Sequence, residues 1–300
     1  MKLEDDLKAL TDALNEKRTF NASGYLKKFL GFIETEDLST VNRKILLDYL
    51  HNTKHPNFLS ALSFEERYKW ADSTFKVIEA AEYNLLDLFE YTVNKNKEKA
   101  LFISTGSERN DYTYKYVYNN VKQLSASIFK TCSKPVAAIF AENSFESAIT
   151  DIACLCFDIL ITPLNVHFTE ESLDFIFRKT NINIIFTDSL KRLEILKRLK
   201  QNGYDFVIIY YGDSTDISAD ANIILFRDLI SGITLSESDV ILAQREKIPF
   251  KQTATTMFTS GTTGLPKGVE FSIYNLITKR YARGAALPFV GTDEILLCYL

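Results

Sequence analysis

Leu3, Leu7, Leu10 and Leu14 recur at the spacing of one helical stripe, with mostly polar residues between them. The chain therefore opens on an amphipathic helix, which Asn21-Ala22-Ser23-Gly24 breaks. Ser63-Phe64-Glu65-Glu66 has capping-box spacing, with Glu66 able to reach back to the Ser63 backbone N–H. It predicts a helix through Trp70, Phe75 and Ile78. Residues 1–80 thus read as a helical amino-terminal extension, to which the sequence assigns no chemistry.

From about Tyr83 the pattern changes. Leu85, Leu86, Leu88 and Phe89 suit a helix, and Ala100 to Ser104 suits a strand. Gly106 to Asn110 reads as a turn, and a helix carrying Val117, Val121, Leu124 and Ile128 follows. Then come four apolar strand signals, Val136–Ala141, Ile159–Ile161, Ile182–Phe186 and Phe206–Tyr210. Helical patterns separate them. One carries Phe145, Ile149, Ile152 and Ala153; one is capped by Thr169 and carries Leu173, Ile176 and Phe177. The third carries Leu190, Leu193, Leu196 and Leu199, and Gly203 ends it. Such alternation predicts an α/β fold, a parallel sheet covered on both faces by helices. Tyr211 to Asn222 reads as an exposed polar connection.

Composition adds mostly exclusions. Three hundred residues, 46% hydrophobic and 25% charged, describe an ordinary globular protein with a sizeable core. The net charge of −4, with Lys and Arg dispersed, argues against a general nucleic-acid binder. The acidic start Met1-Lys2-Leu3-Glu4-Asp5-Asp6 is no secretory signal, and the uncharged stretch Ile159 to Thr169 is too short to span a bilayer. These features predict a cytoplasmic protein without a transmembrane segment; peripheral association with a membrane surface is left open. Cys132, Cys154, Cys156 and Cys298 form no Cys-x-x-Cys pair and read as small hydrophobes. His51 and His55 read as surface histidines near a helix end, since Pro56 turns His55 out of the helix. No metal site is expected.

The candidate chemistry lies in Phe258-Thr259-Ser260-Gly261-Thr262-Thr263-Gly264-Leu265-Pro266-Lys267-Gly268-Val269. Gly261, Gly264 and Gly268 let the backbone come close to a ligand, and successive N–H groups in such a loop can nest an anion. Thr259, Ser260, Thr262 and Thr263 add hydroxyl donors, and Lys267 adds a mobile cation. Each suits a polyphosphate. The run is not a Walker A loop, because Leu265-Pro266 separates Gly264 from Lys267. Thr255 to Phe258 reads as a strand before it, and Ser272 to Ala286 as a helix after it.

This run resembles the phosphate loop of the adenylate-forming enzymes, which include acyl-CoA synthetases, firefly luciferase and peptide-synthetase adenylation domains. Val136 to Asn143, Cys154 to Asn165 and Asn183 to Asp188 resemble further blocks of that family, so the likeness covers roughly residues 83–300. Pro163-Leu164-Asn165 resembles the acyl-CoA synthetase version of its block, and Val269-Glu270-Phe271-Ser272 with Asn275 to Arg280 is similar to the long-chain fatty acyl-CoA synthetases. Many relatives carry His where Ile273 stands.

The resemblance implies that residues 81–300 are part of an AMP-binding domain. Its reaction would join a carboxylic acid, for this subgroup a long-chain fatty acid, to the α-phosphate of ATP and pass the acyl group to coenzyme A. Thr259, Ser260, Gly261, Thr262, Thr263, Gly264, Lys267 and Gly268 would hold the nucleotide phosphates, with Mg²⁺ as counter-charge. The catalytic residues are expected downstream of Leu300, which falls in an apparent strand from Glu294; the chain reads as an incomplete portion, inactive alone. The alternatives are another adenylate-forming ligase, acting on a fatty acid without coenzyme A or on an aryl acid, and a non-catalytic nucleotide-binding fragment.

Overall fold

The structure, a computed structural model, describes residues 3–105, 109–213, 223–246, 248–259 and 265–291. These fall into two compact units, and the division does not follow chain order. One unit holds the helices up to Asn84 together with the helix from Tyr274 onward; the other runs Leu85–Ile273.

The first unit is helical. It contains α1 (Leu3–Asn15), α2 (Ala22–Thr35), α3 (Arg43–Thr53), α4 (Pro56–Leu59) and α5 (Phe64–Ala81). The leucine stripe of α1 is buried as the spacing requires. Asn21 caps α2 by accepting from the Gly24 N–H. The capping box at Ser63 is complete, with Glu66 accepting from the Ser63 N–H at 2.8 Å. His55 is extended and caps α4, with Pro56 at its first position. His51 is less exposed than the sequence suggests, because its Nε2 lies 3.0 Å from the Tyr83 hydroxyl. The core is aromatic, with Phe29, Tyr49, Phe58, Trp70 and Tyr83 all essentially inaccessible to solvent.

The second unit carries α6 (Leu85–Asn96), then β1 (Ala100–Thr105) and β2 (Arg109–Thr113), which pair as an antiparallel ribbon apart from the main sheet. There follow α7 (Tyr114–Thr131), β3 (Val136–Phe140), α8 (Phe145–Cys156), β4 (Leu160–Pro163), α9 (Glu170–Lys179), β5 (Ile184–Thr187), α10 (Leu190–Gln201) and β6 (Val207–Tyr210). The unit is completed by β7 (Ile223–Leu225), α11 (Phe226–Ser231), α12 (Leu235–Ala243), β8 (Thr253–Thr259) and β9 (Lys267–Ser272). The helix α13 (Ile273–Ala286) continues directly from β9 into the first unit.

The main sheet has the order β7-β6-β5-β3-β4-β8-β9. All its pairings are parallel except β8 with β9. The chain steps from β3 to β4, then crosses to the other side of β3 and continues outward through β5, β6 and β7. Right-handed crossovers therefore put α9 and α10 on the face opposite α8. One face is sealed by Leu173, Ile176 and Phe177 of α9 and Leu193, Leu196 and Leu199 of α10, packed on Ala138, Phe140, Ile185 and Ile208. Cys154 in α8 is fully buried, and burial pushes its thiol well above the ordinary range, so it acts as a small hydrophobe. Among the described residues no helix is long and apolar enough to cross a membrane.

Candidate functional site

Ligands of open parallel sheets bind outside the carboxyl ends of the strands. β8 runs parallel to β4, so Thr259 ends it at the same edge as Phe140, Pro163, Thr187 and Tyr210. The antiparallel β9 begins there with Lys267, which pairs in register with Thr259. The hydroxyl of Thr259 donates to the Lys267 carbonyl at 3.4 Å. Thr259 and Lys267 are thus the facing ends of an antiparallel β-hairpin, and the glycine-rich run lies between them in sequence.

The structure thus brings together three of the eight residues that the sequence nominates, Thr259, Lys267 and Gly268. Ser260, Gly261, Thr262, Thr263 and Gly264 lie outside the described residues. Thr259 and Lys267 are both exposed. Lys267 has no carboxylate partner among the described residues, which leaves its ammonium available to an anion. Gly268 sits within β9, where a Cβ would come within 3.2 Å of both the Phe258 ring and the Thr256 methyl. Its missing side chain makes room for the ring that crosses from β8.

β9 was not expected from the sequence. Its residues are largely exposed, so no alternation of apolar and polar positions marks it as a strand. The helix after it starts at Ile273, one residue beyond the expected Ser272.

A cleft of about 420 Å³ opens beside the hairpin, a size within the range of small-molecule sites. Phe258, Pro266 and Gly268 form its hairpin wall, while Phe175 and Lys179 come from the end of α9. Val136 and Leu160 form part of its apolar lining, and Thr162 and Thr256 supply hydroxyls.

The carboxyl edge also holds an ion network that sequence reasoning did not single out. It sits between β3 and β5, where the strand order reverses. Arg192, four residues after Asp188, donates to Asp188 Oδ1 and to Glu142 Oε1, both at 2.5 Å. The other oxygen of Asp188 accepts the Glu142 N–H at 2.8 Å. Arg192 is 14% exposed, and its Nε is buried without a partner among the described residues. The network joins the β3–α8 turn to the start of α10. The only sequence signal was the i,i+4 spacing of Asp188 and Arg192. Next to it, Tyr211 donates to Thr150 Oγ1 at 3.0 Å, and burial holds its phenol well above the ordinary range. At the opposite end of the same strands, the Asn183 side chain accepts from Val136 N–H and donates to the Lys134 carbonyl.

Among the described residues no three His, Cys, Asp or Glu side chains gather into a metal site.

The AMP-binding enzyme family matches residues 89–300. Long-chain-fatty-acid–CoA ligase 1 of Homo sapiens is 26% identical over 194 residues, which are 58% of this chain and 27% of that protein. 4-coumarate–CoA ligase 4 of Arabidopsis thaliana is also 26% identical, over 63% of this chain and 33% of its own length. The chain thus spans roughly a quarter to a third of these relatives. Among solved structures, a red-emitting luciferase of Phrixothrix hirtus superposes with a TM-score of 0.57 at 23% identity, over 70% of this chain and 40% of its own. A long-chain-fatty-acid-CoA ligase of Archaeoglobus fulgidus gives 0.54 at 16% identity, over 68% and 39%. These structural matches establish the fold.

Proposed function

Because the chain belongs to the AMP-binding enzyme family, we propose that it forms part of an ATP-dependent ligase that activates a carboxylic acid as its adenylate and passes the acyl group to coenzyme A. The observation that carries this reading is the hairpin at the carboxyl edge, where Thr259 and Lys267, which has no carboxylate partner among the described residues, flank the glycine-rich run in sequence. In this reading residues 81–300 are part of the adenylation domain and residues 1–80 are a helical extension.

Both ATP and a carboxylate are anions, so transfer to the α-phosphate depends on positioning and charge neutralisation. Lys267 holds the outer phosphates while charge builds on departing pyrophosphate. The Thr259, Ser260, Thr262 and Thr263 hydroxyls and the backbone at Gly261, Gly264 and Gly268 share that contact. Mg²⁺ adds counter-charge when bound. The enzyme works in the cytoplasm.

The acid is a long-chain fatty acid, a reading supported by the fatty-acid ligases among the relatives. The 4-coumarate ligases among them favour an aryl acid as the second reading. ATP–pyrophosphate exchange by the protein that contains this sequence, with fatty acids of graded length and with aryl acids, separates the two. Thioester formation with coenzyme A then tests the acceptor. Lys267→Ala should slow exchange by on the order of 10²–10³, the usual effect of removing one preorganised electrostatic contact. Exchange at the unaltered rate would remove Lys267 from this role.

A further inference from the structure

α5 and α13 of the first unit run side by side in opposite directions, since Arg67 near the start of α5 donates to the carbonyl of Ala285 near the end of α13. Along them lies a groove of about 240 Å³. Its floor is alanine, from Ala282, Ala285 and Ala286 of α13, and its wall is aromatic, from Phe64, Tyr68 and Phe75 of α5. Phe64 is 77% exposed and Tyr68 72%, so two large rings stand in solvent beside a strip of small side chains. The apolar surface continues past the helix through the exposed Leu287 and Phe289. Arg67 is turned to the carbonyls of Ala285 and Leu62. An apolar hollow without polar groups to orient a small ligand suits a protein face better than a metabolite.

The two rims of the groove carry opposite charge. Glu65 and Asp72, three residues before and four after Tyr68, border the rings on their solvent side, and both are exposed. Lys69 and Lys76 lie further round α5, and Lys69 pairs with Glu65. Lys279 and Arg283, each three residues before a groove alanine, border the floor on its other side and are exposed too. One patch thus holds a ridge and a hollow, an acidic rim and a basic rim, and is complementary to itself. A two-fold axis over the groove brings the α5 ridge of each copy onto α13 of the other, and sets acidic rim against basic rim twice. An anionic lipid surface would attract the basic rim but repel the acidic one.

We propose that this groove is a homodimer interface, in which Phe64 and Tyr68 of each copy pack on the alanine floor of the other. The small side chains let the helices approach closely, and the rings supply most of the buried apolar area. The proposal does not depend on the ligase reading.

Sedimentation equilibrium of the 300-residue chain at concentrations on the order of 1–100 μM tests it. The chain should pass from 34.3 kDa to twice that mass. Tyr68→Glu should weaken dimerisation by on the order of thirtyfold, the effect of losing one hot-spot side chain, and leave the urea midpoint of the dilute monomer in place. Asp72→Lys and Lys279→Glu each set like charges against each other twice, and each should weaken the dimer by about tenfold. An equimolar mixture of these two variants should dimerise as the unaltered chain does, because each altered rim then meets one of opposite sign. A chain that stays monomeric throughout leaves the groove to another occupant, such as a further segment of a longer protein, and overturns the proposal. A dimer unmoved by Tyr68→Glu, or a mixture no better than either charge variant alone, overturns it too.

Discussion

Gly268 lacks the Cβ that would press on Phe258 and Thr256 at 3.2 Å. Phe258 is only half-buried, so its ring can yield. Gly268→Ala should therefore destabilise the hairpin by only about 1 kcal/mol, the low end of overpacking. Phe258→Leu should absorb part of that loss, and the coupling is read from urea midpoints in a double-mutant cycle. Strictly additive effects would mean that the ring does not meet the new methyl. The charge at Lys54 makes a different demand. Its folded-state pKa of about 8 lies below the ordinary 10.5, so folding opposes its protonation. Between those values the unfolded chain binds a proton that the folded chain releases, and stability rises with pH. Lys54→Met should raise stability by about 1 kcal/mol below pH 8, discounted for partial exposure, and the gain should vanish as pH rises towards 10.5. Urea midpoints of both proteins at pH 7 and pH 10 check the sign. An equal gain at both would assign it to packing rather than charge.

At the scale of elements, the central α/β run was legible because every strand from β3 to β6 is a short, buried apolar run, and each following helix has its own cap. Ser144, Thr169 and Ser189 accept from the backbone N–H three residues on. Legibility failed where burial is one-sided or absent. β2 reads as turn and helix approach because Arg109, Asn110 and Asp111 are exposed and polar. β7 spans three residues, too few to set a period. β9 carries no apolar pattern, so the hairpin it forms with β8 leaves no periodic signal in the sequence. The ion network was invisible for a related reason: Glu142 and Asp188 are brought together by parallel pairing of β3 with β5, which no local spacing encodes. Its consequence is testable. Arg192→Met leaves two carboxylates facing each other at the sheet edge without their shared cation. It should destabilise the second unit by about 1–2 kcal/mol, since Arg192 and Asp188 are mostly buried while the Glu142 side chain is 59% exposed. Glu142→Gln with Asp188→Asn in the Arg192→Met background should recover much of that loss. A loss below about 0.5 kcal/mol would class the network with exposed surface pairs.

For the whole molecule, order of packing differs from order along the chain. α13 follows the hairpin directly in sequence, yet it packs with helices that precede α6. Ile277, Tyr281 and Gly284 lie on one stripe of α13, and the first two are completely buried. Tyr281 rests on Trp70 and Tyr83 and donates to the Leu50 carbonyl, and Arg67 donates to the Ala285 carbonyl. The helical extension therefore covers an apolar face that the segment after the hairpin cannot hide by itself. A chain begun at Leu85 should expose Ile277 and Tyr281, at about 1.5–3 kcal/mol of lost burial for each large side chain. It should bind a hydrophobic dye, and its α13 amides should exchange with solvent far faster than those of β3 to β6. Trp70→Ala in the 300-residue chain should move α13 exchange the same way with smaller amplitude, since it removes one wall of the cluster and keeps the rest. A chain begun at Leu85 that stays monomeric, dye-free and protected along α13 would mean that the helix needs no cover from the amino-terminal helices.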